Sequence, residues 1–289
     1  MQKFMKHVRK RWSEYLVFTG LAAFTLIFLY PFLLLVINAF KPGKSDLINS
    51  IVYTPTAFPT KWDLQYILFY VQSTDYFLTL GVSVVVTVVS VLLLNIISAV
   101  VAWMLVRSKT KVSNIMFLIL VAAMLVPFQA LMFPLVKLMD TIGLRNIPGL
   151  IFMYLGFGLS FTVFLYHGFL KSVPLDLEEA AFIDGANFWQ ILTQVVFPIV
   201  APITVTTAIL NAKWIFNDFL LPFLILGSRN GYTTLPLALW RARAASGGAY
   251  GTGYDVIFPG ILLNVLPIAI VYFIYQRKIV SGISEGAIK

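Results

Sequence analysis

Uncharged apolar stretches close to 20 residues long recur along this chain, separated by short polar segments. About 20 apolar residues in a helix cross the hydrocarbon of a bilayer. There, every backbone N–H and C=O must be satisfied by the segment itself or its neighbours. Few folds meet that demand. Only 11% of the 289 residues are charged, against about 25% in soluble domains. The reading is an all-α, polytopic membrane protein that forms one domain over residues 1–289. Six transmembrane helices are expected, over about 15–37, 76–106, 114–139, 149–170, 199–226 and 256–275.

A basic head, residues 1–14, carries Lys3, Lys6, Arg9, Lys10 and Arg11. The apolar run after it is longer than a signal-peptide core, and no small-residue cleavage site follows, so it reads as an uncleaved first span. Residues 38–74 read as a long outer loop. Its Gly43-Lys44-Ser45 is the tail of a phosphate loop, but Asn38 stands where the first glycine belongs and no strand precedes it, so no nucleotide site is assigned. Small residues in the second span (Gly81, Ser83, Ser90, Ser98, Ala99) suit close helix packing. Pro127 and Pro134 should kink the third span.

Six spans put both termini on one side. That side collects twelve of the 21 Lys and Arg residues, in the head, Arg107, Lys109, Lys111, Lys171 and the tail. The other side holds eight, over longer loops, and Lys213 lies inside the fifth span. The bias places both termini in the cytoplasm of a cell membrane. The net charge of +9 is thus read as topology, in contact with the lipid bilayer, and not as a nucleic-acid footprint. The chain has no cysteine and two histidines, so no disulfide, metal or nucleophile–base pair is assigned.

Within this oily chain, Pro174–Pro202 is a polar island holding four of the twelve acidic residues: Asp176, Glu178, Glu179 and Asp184. Charge inside hydrocarbon is expensive, so the segment 172–197 reads as a loop on the cytoplasmic face. Pro174 suits a helix start, and the acids lie near the positive end of the helix dipole. Ala180 and Ala181 keep one face small. Gly185 can take the left-handed turn that ends a helix. A second short helix should run over about 187–196. An ordinary amphipathic connector would also fit these residues.

EEAAFIDGA (178–186), followed by FPIVAP (197–202), closely resembles the EAA motif of binding-protein-dependent ABC transporter permeases. Glu179, Ala180, Ala181, Gly185 and Pro198 occupy its positions. MLVPFQALMFPL (124–135), FNDFLLPFLI (216–225), TLPLAL (234–239) and YQRKIVSGISEGAIK (275–289) resemble segments of carbohydrate-uptake permeases of the maltose-transporter type, and of the second permease subunit in particular. The resemblance covers nearly the whole chain. It implies a bacterial membrane subunit that hydrolyses nothing itself. Its partners would be a second homologous permease, two ATPase subunits and an extracellular substrate-binding protein. ATP and magnesium would be held on the ATPase, with no cofactor in this chain. The resemblance also implies that Glu178, Glu179, Ala180, Ala181, Asp184 and Gly185 form a coupling loop seated on the ATPase.

In the fifth span, Thr204, Thr207, Asn211, Trp214 and Asp218 fall on one helical stripe, and Thr206, Lys213 and Asn217 on the next. A polar face in a membrane helix points into a bundle or a wet cavity. Amides and carboxylates bind sugar hydroxyls, and aromatic faces cover ring C–H surfaces. Asn211, Trp214, Asn217, Asp218, Lys213 and Gln129 are therefore the candidate substrate path, with Asn95 and Tyr154 beside it. Helix–helix hydrogen bonding is the competing reading. Lys213 would snorkel, pair with Asp218 or with a partner subunit, or meet an acidic sugar, with pairing the favoured reading. The resemblance implies that the outer segment 228–253, which carries Arg241 and Arg243, reaches toward the sugar site of the binding protein, and the segment is expected to assist substrate release. A permease for another polyol, such as a glycerol phosphate, stays open. So does an ion-coupled transporter titrating at Asp218.

Overall fold

The computed structural model describes residues 2–41, 55–227, 231–246 and 254–287, with side chains over 14–41, 55–227, 231–245, 256–274 and 276. Gly43–Ser45, residues 228–230 and 247–253, and the side chains of the basic head and of Arg277, Lys278 and Lys289 lie outside that description. The regular elements among the described residues are all helical. Glu14–Ala39, Tyr76–Ser108, Ile147–Leu170 and Val256–Ile274 are long and apolar enough to cross a membrane. Two bent helix pairs raise the number to six if each is one span.

The chain divides into two compact units: Met1–Tyr76 with Leu239–Ile268, and Phe77–Ala238 with Ala269–Lys289. In the first unit, α1 (Gln2–Ala39) leaves residues 14–33 exposed throughout, including Phe18, Phe24, Phe28 and Phe32. So long an apolar surface suits hydrocarbon and not water. The expected outer loop 38–74 contains a helix, α2 (Gln65–Ser73), whose Tyr70 is fully buried. Asn38 ties the end of α1 to the loop, its amide donating to the Leu34 and Pro55 carbonyls at 2.7 and 2.9 Å. The last helix of the chain, Tyr254–Ala287, contains Pro259 and Pro267. Pro267 has no N–H and so releases the carbonyl four residues earlier. The Tyr76 hydroxyl donates to that carbonyl, Leu263 O, at 2.8 Å.

The second unit holds α3 (Tyr76–Ser108, from Phe77 on), α4 (Lys111–Ala123), α5 (Phe128–Thr141), α6 (Ile147–Leu170), α7 (Asp176–Ile183), α8 (Phe188–Ile199), α9 (Ala201–Asn217) and α10 (Leu220–Leu226). The helix α6 is central and touches α4, α9 and α10. Its Gly158 admits α3 closely: a Cβ there would lie 2.8 Å from Leu94 Cδ1. One apolar cluster gathers Val86, Leu94, Leu150, Tyr154 and Ile225. Another gathers Trp103, Val163, Tyr166, Leu192 and Val196.

The third expected span is two helices, α4 and α5, bent by 98°. Of its two prolines only Pro127 breaks it. The residue before a proline is driven out of the helical region, and Pro127 itself is extended, at φ −63° and ψ 131°. The N–H groups of Met124, Leu125 and Val126 turn back to Val121, Ala122 and Ala123, closing the end of α4 with short turns. Pro134 sits inside α5 without ending it. The fifth expected span, 199–226, is divided as well. Its helix α9 meets α8 at 71°, and extended backbone at Asp218 (φ −72°, ψ 130°) separates α9 from α10.

Candidate functional site

The acidic island folds as helix, turn, helix. Asp176, Glu178 and Glu179 occupy the first turn of α7, where the unpaired N–H groups favour negative charge. Gly185 takes φ +86°. With that residue left-handed, Gly185 N–H bonds to Phe182 O and Ala186 N–H to Ala181 O, each at 3.0 Å. This is the paired closure of a Schellman turn. Ala181 and Ala186 meet the apolar cluster below it. The helix α8 starts on a reciprocal cap: Asn187 Oδ1 accepts from Gln190 N–H at 3.0 Å, and Gln190 Oε1 accepts from Asn187 N–H at 2.8 Å. A π-helical stretch, Ile191–Val196, then buries Ile191, Leu192 and Val196.

What this leaves outside is a surface of mixed character. Leu177, Phe182, Ile183 and Trp189 are exposed, with Phe182 at 72% and Ile183 at 82%. Asp176, Glu179, Ala180, Asp184 and Gly185 are exposed among them. Apolar side chains rimmed by charge mark an interaction surface.

Glu178 does not belong to that surface. It is buried, and three nitrogens donate to its carboxylate. Arg107 Nε and Nη2 reach Oε1 at 2.9 and 2.8 Å, and Trp103 Nε1 reaches Oε2 at 2.8 Å. Arg107 Nη2 also donates to Val173 O at 3.2 Å. Trp103 and Arg107 stand one turn apart at the end of α3. Read as sequence, Arg107 counted only toward topology and Trp103 toward nothing. The signal available was an aromatic donor and an arginine four residues apart, facing an acidic loop. The Trp103 ring also lies against Phe188, with centroids 5.0 Å apart.

The polar stripe of α9 divides in two. Its inner part is helix–helix hydrogen bonding. Thr207 donates to Asn95 Oδ1. The Tyr166 hydroxyl lies 2.9 Å from the same oxygen and 2.7 Å from Thr204 Oγ1. Asn95 Nδ2 donates to Val91 O at 2.8 Å. Asn211, only 2% exposed, donates to Thr162 Oγ1 at 3.0 Å. So α3, α6 and α9 are laced together by amides and hydroxyls, which is the usual bonding of membrane bundles. The cavity reading of Asn211 gives way to this one, because a helical stripe carries no sign of which of its neighbours is another helix.

The outer part of the stripe is open. Lys213, Trp214 and Asn217 are exposed. Trp214 rests edge-on against Tyr154, centroids 5.5 Å apart. Asn217 is tied to its own helix through Nδ2 to Lys213 O at 2.8 Å. No ion pair joins Lys213 to Asp218. The Asp218 carboxylate instead accepts from the Tyr154 hydroxyl at 3.0 Å and from the N–H groups of Leu220 and Leu221 at 3.0 and 3.3 Å. It thereby caps the start of α10. The extended backbone at Asp218 carries its side chain forward to those amides and away from Lys213. Gln129 is exposed in the first turn of α5. In the segment 228–253, expected to lie on the outer side, the described residues include a helix, Leu235–Ser246, that carries Arg241 and Arg243.

Comparison with known proteins gives these features a family. Residues 94–284 match the model of the binding-protein-dependent transport system inner membrane component family. The chain is 35% identical to a probable starch degradation products transport system permease protein, AmyC, of Thermoanaerobacterium thermosulfurigenes, over 98% of each chain. It is 37% identical to the multiple sugar-binding transport system permease protein MsmG of Streptococcus mutans, over 91% of this chain and 93% of that one. Among solved structures, a chain of a bacterial ABC transporter involved in the import of the acidic polysaccharide alginate matches in fold. Its TM-score is 0.76 at 21% identity, covering 92% of this chain and 96% of that chain. With its membrane helices and its EAA-type loop, the chain belongs to the family of inner membrane components of binding-protein-dependent transport systems.

Proposed function

We propose that this chain is one of two permease subunits of an ATP-driven importer of sugars or oligosaccharides. It would form half of the translocation path and hydrolyse nothing itself. The observation that carries the reading is the end-to-end likeness, 98% of each chain, to a permease named for starch degradation products. An extracellular binding protein would deliver the sugar. Two ATPase subunits would supply the energy, and a second, homologous permease would complete the path.

In this reading the exposed face of α7 and α8 seats on an ATPase subunit. The apolar residues Leu177, Phe182, Ile183 and Trp189 would fill its groove. The acids Asp176, Glu179 and Asp184 would set the orientation, since charge at a rim governs register and encounter more than affinity. Both chain termini would then be cytoplasmic, which agrees with the excess of Lys and Arg on that side. Lys213, Trp214 and Asn217 would face the path, with Trp214 as the sugar platform, and Gln129 would contribute from α5. Asp218 holds α10 through two backbone amides, which gives it a structural role in this reading. An ion-coupled carrier would also leave the α7–α8 surface without a purpose.

The test is purification of the chain with its partner permease, ATPase and binding protein. ATP hydrolysis is then measured with malto-, chito- and arabino-oligosaccharides and glycerol 3-phosphate. Stimulation by a neutral glycan in the presence of the binding protein is the expected result. Stimulation by glycerol 3-phosphate alone, or uptake that survives ATP depletion while an ion gradient persists, would refute the reading.

A further inference from the structure

A coupling loop needs two different contacts: an outer one to receive motion and an inner one to pass it on. The outer face of α7 and α8 is described above. Its inner contacts are mostly apolar and yielding, through Ala181, Ala186, Ile191 and Leu192. The helix α7 is only eight residues long. One inner contact is of another kind. Glu178 receives Arg107 through two nitrogens and Trp103 through its indole N–H, all within 2.9 Å. Arg107 also holds the Val173 carbonyl, ahead of α7.

The four groups form a closed bracket around the entry to α7, and its far end is the last turn of α3. Two properties make it a link as well as a packing detail. Charge-assisted bonds are directional and about twice as strong as neutral ones. They also lie in a buried place, where the Glu178 side chain is 9% and the Arg107 side chain 17% exposed, so water competes poorly for them. Sliding apolar contacts can repack under load. A carboxylate held at three points cannot turn without breaking bonds. The helix it grips, α3, is continuous over 33 residues and carries Asn95, which joins α6 and α9 through Tyr166 and Thr207.

We infer that Glu178, Arg107 and Trp103 are positioning residues that form the rigid link through which movement of α7 is passed to α3, and from α3 to the helices around Asn95. This rests on the proposed docking of α7 on an ATPase. It separates two neighbours in the sequence: Glu179 faces the partner, and Glu178 faces the bundle. Loss of Glu178 should leave docking and ATP hydrolysis in place while the helices cease to follow.

The natural chain has no cysteine, so Asn217→Cys places a single reporter thiol in this subunit. Its labelling by a membrane-impermeant maleimide is followed in the whole complex in nanodiscs, without nucleotide and after trapping with Mg·ATP and vanadate. With the link intact, trapping should change the labelling rate. In Glu178→Gln and Arg107→Gln that change should shrink at least fivefold, with the ATPase still co-purifying and still hydrolysing ATP within about twofold. Trp103→Phe keeps the ring against Phe188 and removes only the N–H. It guards against a folding defect and should shrink the change about twofold. A full labelling change in the variants, or loss of the ATPase from Glu178→Gln complexes, overturns the link. If instead the ATPase stays bound in complexes carrying Phe182→Asp and Ile183→Asp, at the two most exposed apolar residues of that face, the docking surface itself is misassigned. That result defeats the proposed docking of α7 and α8, and the link with it.

Discussion

Replacing Gly185 tests whether the α7–α8 turn is set by backbone conformation alone. The residue sits at φ +86° with two hydrogen bonds closing around it. A Cβ added there would meet nothing within 4 Å, so the cost of a substitution is conformational and not steric. For an L-residue the left-handed region costs about 1–2 kcal/mol. Such an energy changes a local equilibrium by a factor of about 5–30. Gly185→Ala should therefore shift the equilibrium constant of the docking-competent turn by about that factor, and lower substrate uptake by at most that factor. Asparagine enters the left-handed region more readily than other residues, so Gly185→Asn should retain most uptake. Proline cannot reach a positive φ and also removes the N–H that bonds to Phe182. Gly185→Pro should abolish uptake while the protein remains in the membrane. The assay is uptake of a labelled oligosaccharide by cells expressing each variant, normalised to membrane protein, together with ATPase co-purification. The order Gly, Asn, Ala, Pro is the prediction. Equal uptake for Ala and Asn, or wild-type uptake for Ala, would refute the reasoning.

Removing the shared acceptor with Asn95→Leu should destabilise the purified subunit by only about 1 kcal/mol, at the low end for a buried unsatisfied group. Thr207 can still donate to Ile203 O and Tyr166 can still reach Thr204. Thermal unfolding would show it, and an unchanged midpoint would count against the hub. Tyr76→Phe should cost about 1–3 kcal/mol by leaving the Leu263 carbonyl unmet. Adding Pro267→Ala restores a helical N–H to that carbonyl, so the double variant should recover most of the loss, measured as a double-mutant cycle. Lys213→Met, on an exposed position, should shift stability by less than about 0.5 kcal/mol and reduce uptake; undiminished uptake of neutral and acidic glycans alike would remove Lys213 from the path.

Much of this protein is decided by composition and local rules. Long uncharged segments must be helices in a bilayer, because nothing there will bond an open backbone. The turn at Gly185 and the entry of α7 follow from residue chemistry within a few positions, so they are visible in the string of letters. The break at Pro127 is likewise local, although the letters do not say that Pro134 would be tolerated. What lies beyond the sequence is partnership between distant residues. Glu178 and Glu179 are adjacent and chemically alike, yet one is buried on Arg107 and Trp103 and the other is exposed. Asn211 and Trp214 share a helical stripe, yet the first is spent on Thr162 and the second is open. Helical periodicity states which side chains share a face. Only the packing of α3 and α6 against α9 decides where along that face the bundle ends and the open surface begins.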